Sequence, residues 1–100
     1  MITAVAAEGS AVDSPVSDMG ARAPYYLLFE EGKSKEAIQN PFVIGGGGAA
    51  FSVAHLLAER GVTRFISGDI GPNMRDALAE KGITYKQAAG KTASEAVARQ

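Results

Sequence analysis

Val62-Thr63-Arg64-Phe65-Ile66-Ser67-Gly68-Asp69-Ile70-Gly71-Pro72-Asn73-Met74 is the stretch whose reading decides the fold. Val62 to Ser67 is a short apolar run of strand length, and Gly68-Asp69-Ile70-Gly71 turns the chain out of it. Pro72 has the fixed φ suited to a first helical position, where its missing N–H is no loss. Beyond it Met74, Ala77, Leu78 and Lys81 recur at helical spacing as an inward stripe, and Gly82 ends the helix. Ile83 to Gln87 follows as a short last strand. A strand, a helix and a strand in immediate succession form a parallel crossover unit.

Upstream, Ala50, Val53, Ala54 and Leu57 give a helix over Ala49 to Arg60 with Gly61 as its stop. Four consecutive glycines, Gly45 to Gly48, lead into it from Asn40-Pro41. Tyr25 to Glu31 reads as a strand, Gly32-Lys33 as a tight hairpin turn, and Ser34 to Gln39 as a polar edge strand. Met1 to Ala7 is an apolar run closed by Glu8-Gly9-Ser10, expected as a central strand buried on both faces. Between these lies Val12 to Pro24, a loop of about a dozen residues, a length often tied to function. Downstream, Thr92 with Glu95 forms a capping box for a last helix that turns Ala93, Ala96 and Val97 inward. The order β-β-β-α-β-α-β-α predicts an α/β fold: a mixed five-stranded sheet with helices on both faces, three-layer α/β/α, ribonuclease H-like.

The chain has 100 residues, 46% hydrophobic and 21% charged, which makes residues 1–100 one domain with one core. Ten basic residues against eleven acidic ones leave a net charge of −1, without the basic surplus of a nucleic-acid binder. With no cysteine, disulfides, thiolate metal sites and cysteine nucleophiles are excluded. No run approaches the ~20 apolar residues of a membrane span, and no signal peptide is recognisable. A cytoplasmic protein, monomeric or weakly dimeric, is expected.

Parallel strands one, three and four would send three connections, Glu8–Pro24, Asn40–Gly48 and Gly68–Asn73, off one edge of the sheet. Open α/β sheets bind ligands at that edge. Two of the connections enter helices, so unpaired N–H groups from two helix N-termini would face one crevice and favour an anion. Gly46, Gly47 and Gly48 at the first entrance allow close approach of a ligand to backbone; a flexible loop without ligand is the other reading of that run. A P-loop needs Lys-Ser/Thr where Ala49-Ala50 stands, and the Rossmann spacing falls after an edge segment, so no nucleotide is expected. Gly71, Pro72 and Asn73 form the second entrance. Arg22, at the end of the long loop, offers a permanently charged fork. Ser14 and Ser17 offer hydroxyls, and Met19 a soft thioether suited to copper or a sulfide cluster. His55 lies roughly 10 Å inside the first helix and is expected to face solvent.

Several stretches resemble the dinitrogenase iron–molybdenum cofactor family, which includes NifX-like and NafY-like carriers and the C-terminal domain of NifB-like proteins. They are Ile2-Thr3-Ala4-Val5-Ala6 with Asp13-Ser14-Pro15-Val16-Ser17, Arg22-Ala23-Pro24-Tyr25, Gly48-Ala49 with Ala54, Leu56-Leu57-Ala58 and Gly61-Val62, and Gly68-Asp69-Ile70-Gly71-Pro72-Asn73. The last is close to the family's Gly-Asn-Ile-Gly-Pro-Asn turn. Met19 and Gly47 occupy positions where many members carry histidine.

The resemblance implies a non-enzymatic binding or carrier protein for an iron–molybdenum or other molybdenum-sulfide cofactor, related to nitrogen fixation. Its partners would be metallocofactor assembly or acceptor proteins. Two alternatives remain open at this point. One is a regulatory or protein-interaction module of the same fold without metal binding. The other is a magnesium-dependent ribonuclease H-like nuclease using Glu8 and Asp69; Asp69 is also read as a cap of the second helix.

Overall fold

Ile2-Thr3-Ala4-Val5-Ala6-Ala7 carries no charge, and all six residues are buried, as a strand covered on both faces requires. In the computed structural model, which describes residues 1–42 and 48–98, this segment is β1 (Ile2–Ala7), at the centre of the sheet. The other strands are β2 (Tyr25–Glu30), β3 (Lys33–Gln39), β4 (Val62–Ser67) and β5 (Thr84–Gln87); the helices are α1 (Ala49–Glu59), α2 (Pro72–Glu80) and α3 (Ala93–Ala98). The strand order is β3-β2-β1-β4-β5. β2 runs antiparallel to both β1 and β3, whereas β1, β4 and β5 are parallel neighbours.

α1 and α2 cover one face, where Val53, Ala54, Leu57, Met74, Ala77 and Leu78 pack on Ala4, Ala6, Tyr26, Leu28 and Phe65. α3 covers the other, with Ala93, Ala96 and Val97 on Val5, Ala7, Leu27, Phe29 and Ile66. This is the expected three-layer architecture. Small residues on β1 accommodate large ones beside them: Ala6 pairs with Tyr26 and Ala4 with Phe65, and those two rings meet 6.0 Å apart across the gap. Leu57 and Leu78 are fully buried, each contributing about 1.5–3 kcal/mol by leaving water.

Three local expectations shift. The hairpin turn is Glu31-Gly32, not Gly32-Lys33. Both residues take positive φ (52° and 79°), as a two-residue turn needs to match strand twist, and Glu30 pairs with Lys33. Lys81 is exposed and lies just past α2, because the helix ends one residue before the stripe would reach it. Asp69 does not cap α2: Gly71 is the N-cap, and the Asp69 carboxylate accepts instead from the Ile70 N–H (2.9 Å) and from Gln87 (3.1 Å). The Thr92/Glu95 box forms as expected, with Glu95 Oε1 accepting from the Thr92 N–H (2.9 Å) and Thr92 Oγ1 from the Glu95 N–H (3.3 Å). No helix among the described residues is long and apolar enough to cross a membrane.

Candidate functional site

β1, β3 and β4 end at one edge, and the long loop after β1 crosses that edge from one face to the other. Its first half belongs to the α3 side. There Val16 joins that core, and the carbonyls of Ser14 and Val12 accept from the Ala93 and Ser94 N–H groups at the start of α3. Its second half belongs to the α1/α2 side, where Ala23 is buried and Ala21 packs beside it. The crossing is fixed at its midpoint. Ser17 N–H donates to Ala6 (2.8 Å) and Gly68 N–H to the Ser17 carbonyl (2.7 Å).

On the α1/α2 side a cleft of about 280 Å³ opens between the two helix entrances. Gly48 to Phe51 form one wall, Gly71 to Met74 the other, and Ala21 with Arg22 the third. The volume sits at the lower limit of small-molecule sites, roughly 300–1,000 Å³, which suits a compact ligand rather than a dinucleotide.

The electrostatics follow from the helix ends. Neither α1 nor α2 has a side-chain cap, and neither carries an acid in its first turn. Each therefore has first-turn N–H donors that no side chain caps, and presents a partial charge of roughly +0.5 at its N-terminus. Gly48 enters α1 at φ 88°, a left-handed conformation that favours glycine. Gly71 is different: at φ −72° and ψ 166° any residue would fit, and a Cβ there would meet nothing within 4 Å. Ser, Thr, Asp or Asn would cap the helix better. The glycine keeps the donors uncovered.

Beneath Arg22 lies a buried polar cluster. Tyr26, fully buried, donates its hydroxyl to the Gly20 carbonyl at 2.6 Å and accepts from Asn40 Nδ2 at 3.2 Å. Asn40 Nδ2 also reaches the carbonyls of Ala21 (3.2 Å) and Ala23 (2.9 Å), and Asn40 Oδ1 accepts from the Phe42 N–H (2.8 Å). Burial pushes the Tyr26 hydroxyl well above its ordinary range, a rise that a hydrogen bond with the Ala23 backbone partly offsets. It stays a protonated donor.

Of the residues singled out from the sequence, Arg22, Gly48, Gly71, Pro72 and Asn73 line the one cleft. Gly46 and Gly47 lie outside the described residues. Ser14 is drawn to the other face: its backbone serves α3, and its Oγ lies so close to Gly9 that a Cβ there would approach it to 2.8 Å. Met19 is exposed and not among the lining residues; its N–H donates to Ser17 Oγ at 3.1 Å. His55 faces solvent and sits 3.6 Å from Glu59 one turn along α1. Sequence reading missed Phe51, an exposed ring on the cleft wall, and Asn40, which looked like a strand breaker before Pro41.

Among the described residues no group of three or more His, Cys, Asp or Glu is placed to hold a metal ion. Among the described lining residues the donors are backbone amides, the Arg22 guanidinium and the Asn73 side-chain amide. Such donors suit an anion and do not match a bare cation. Glu8 and Asp69 likewise have no third acid with which to build a magnesium site among the described residues.

Comparison with known proteins agrees with this architecture. The apo form of the orange protein from Desulfovibrio gigas superposes with a TM-score of 0.91 at 29% identity, over 98% of this chain and 84% of that one. A NifB-like protein from Thermotoga, of the DUF35 family, superposes at 0.82 with 27% identity, over 97% and 84%. A candidate dinitrogenase protein from Methanocaldococcus jannaschii, 16% identical, shares the fold at 0.63 over 97% and 84%. No curated protein sequence matches the chain significantly. The model of the dinitrogenase iron-molybdenum cofactor family matches residues 1–100 throughout, and the chain belongs to that family.

Proposed function

We propose that this protein carries a small anionic molybdenum- or iron-sulfide cluster as cargo in the α1/α2 cleft and passes it to a partner during metallocofactor assembly. The observation that carries the reading is the pairing of two helix entrances, both uncapped and free of acids, across one cleft that also holds Arg22. Family membership supports the cofactor class. The likeness to the apo form of the orange protein from Desulfovibrio gigas, at 29% identity, supports a ligand-binding reading of this chain.

The amides at the two entrances would donate to sulfide or oxide ligands at the cluster periphery. Arg22 would neutralise part of the charge, and the Phe51 ring would shield one side from water. Held this way, a cluster leaves without breaking any protein–metal bond, which is what a carrier needs. The test is anaerobic titration with tetrathiomolybdate, followed by visible absorption and desalting. The protein should retain colour, lose it progressively as salt is raised, and bind roughly 10–100-fold more weakly after Arg22→Ala. A protein that elutes colourless, with no rise in Tm from the ligand, would refute the reading.

Met19 and Gly47, standing at two histidine positions of the family, favour one other reading: an interaction module that kept the fold without the cargo. That colourless outcome is what it predicts.

A further inference from the structure

Asn40 directly follows β3, is only 5% exposed, and its side-chain amide and backbone N–H all have partners inside the protein. Its amide nitrogen donates to the carbonyls of Ala21 and Ala23, which straddle Arg22, and to the Tyr26 hydroxyl oxygen. Its Oδ1 accepts from Phe42, and its backbone N–H donates to Pro24 at 2.9 Å. The side-chain orientation is fixed by this network. Turned over, the amide would set an oxygen against three oxygens and an NH₂ against the Phe42 N–H.

We infer that Asn40 is a positioning residue for the cleft: it clamps the backbone on both sides of Arg22 and ties that clamp to the Phe42 backbone in the connection after β3. The inference rests on the proposed anion site. One hydrogen bond on each side of a single residue restrains its Cα far more than one alone would, so the Arg22 side chain is presented from a fixed base. Arg22 lies in the connection after β1 and Phe42 in the connection after β3, and the Asn40 side chain bonds to backbone of both. Its role is to lower the ordering cost of binding, since an anion then meets a donor set already in place.

The test combines a double-mutant cycle with a ligand-free measurement. With tetrathiomolybdate as probe, Asn40→Ala should weaken binding roughly 10-fold, as loss of an orienting partner does at metal sites. In an Arg22→Ala background the same change should cost no more than about 2-fold, because two residues that act through one segment do not add. Equal losses in both backgrounds would overturn the inference and leave Asn40 a purely structural residue. Asn40→Ser, which keeps one donor, should fall between wild type and Asn40→Ala, and it serves if the alanine variant does not fold. Without ligand, the heteronuclear NOE of the Ala21, Arg22 and Ala23 amides should drop in the variant while α2 amides hold. An unchanged NOE would also overturn the inference. Should wild type fail to bind the probe, the proposed function falls, and the NOE still decides whether Asn40 orders the Arg22 segment.

Discussion

Gly71→Asp should make this protein more stable and less able to bind. Gly71 is the N-cap of α2, in an extended conformation that aspartate adopts freely, with space around its Cβ position. A carboxylate there accepts from the open N–H groups, a gain over glycine of about 0.3 kcal/mol from the cap, with about 0.3–1 kcal/mol from the helix dipole. For a domain of this size, about 1 kcal/mol raises Tm by roughly 4–8 °C. The same carboxylate stands on the cleft wall. At about 5 Å from a bound anion and an effective dielectric near 20, repulsion is on the order of 3 kcal/mol per unit of anion charge, a loss beyond 100-fold. Gly71→Ser is the matched control, since it caps without charge and should give a smaller gain with a milder loss of affinity. Melting followed by far-UV circular dichroism gives the first quantity and tetrathiomolybdate titration the second. A higher Tm with unchanged affinity would mean that no anion sits at the α2 entrance. A lower Tm would mean that its N–H groups are not open for capping.

Leu57→Ala, which empties a fully buried position between α1 and the sheet, should cost about 2–5 kcal/mol in urea unfolding; a loss under 1 kcal/mol would contradict the packing described. Gly68→Ala should destabilise by about 1–3 kcal/mol, because its Cβ would come within 3.0 Å of the Asp18 Cα and 3.1 Å of the Ser17 carbonyl, where backbone cannot yield cheaply. Thr92→Ala removes the α3 cap on the face away from the cleft; it should cost about 1 kcal/mol and leave tetrathiomolybdate affinity unchanged. Burial raises the Tyr26 hydroxyl above its unfolded value, so the stability it contributes is complete below about pH 10 and is lost as pH climbs further. Tyr26→Phe should flatten that alkaline loss, and ionisation of all three tyrosines at 295 nm with the fold intact would contradict the burial argument.

The fold was legible because its decisive signals are local. The uncharged run of β1, the Val53/Leu57 and Met74/Leu78 stripes and the Thr92/Glu95 box each depend on neighbours within a turn or two, and each stands where periodicity placed it. The departures come from partners distant in sequence or from competition between adjacent groups. Asp69 was read as a cap, but Gly71 occupies that position, and its carboxylate turns to Ile70 and to Gln87 on the edge strand. Ser14 was placed with Arg22 because both lie in one loop, yet the loop spans the sheet edge and serves α3 first.

Asn40 makes the same point more sharply. Beside Pro41 it reads as the end of a strand, and nothing within five residues reveals that its amide holds carbonyls 17 and 19 positions away. What the sequence did reveal about the site is a local omission. Gly71-Pro72-Asn73 opens α2 without a capping side chain, and Gly48-Ala49-Ala50 opens α1 in the same way. Either entrance alone would be an ordinary, slightly unstable helix start. The sheet turns two such starts toward one cleft, because β1, β3 and β4 all point the same way, and their positive ends then add at one place. Capping either helix would relieve that concentration of like potential, so the chain forgoes stability where an anion would restore it.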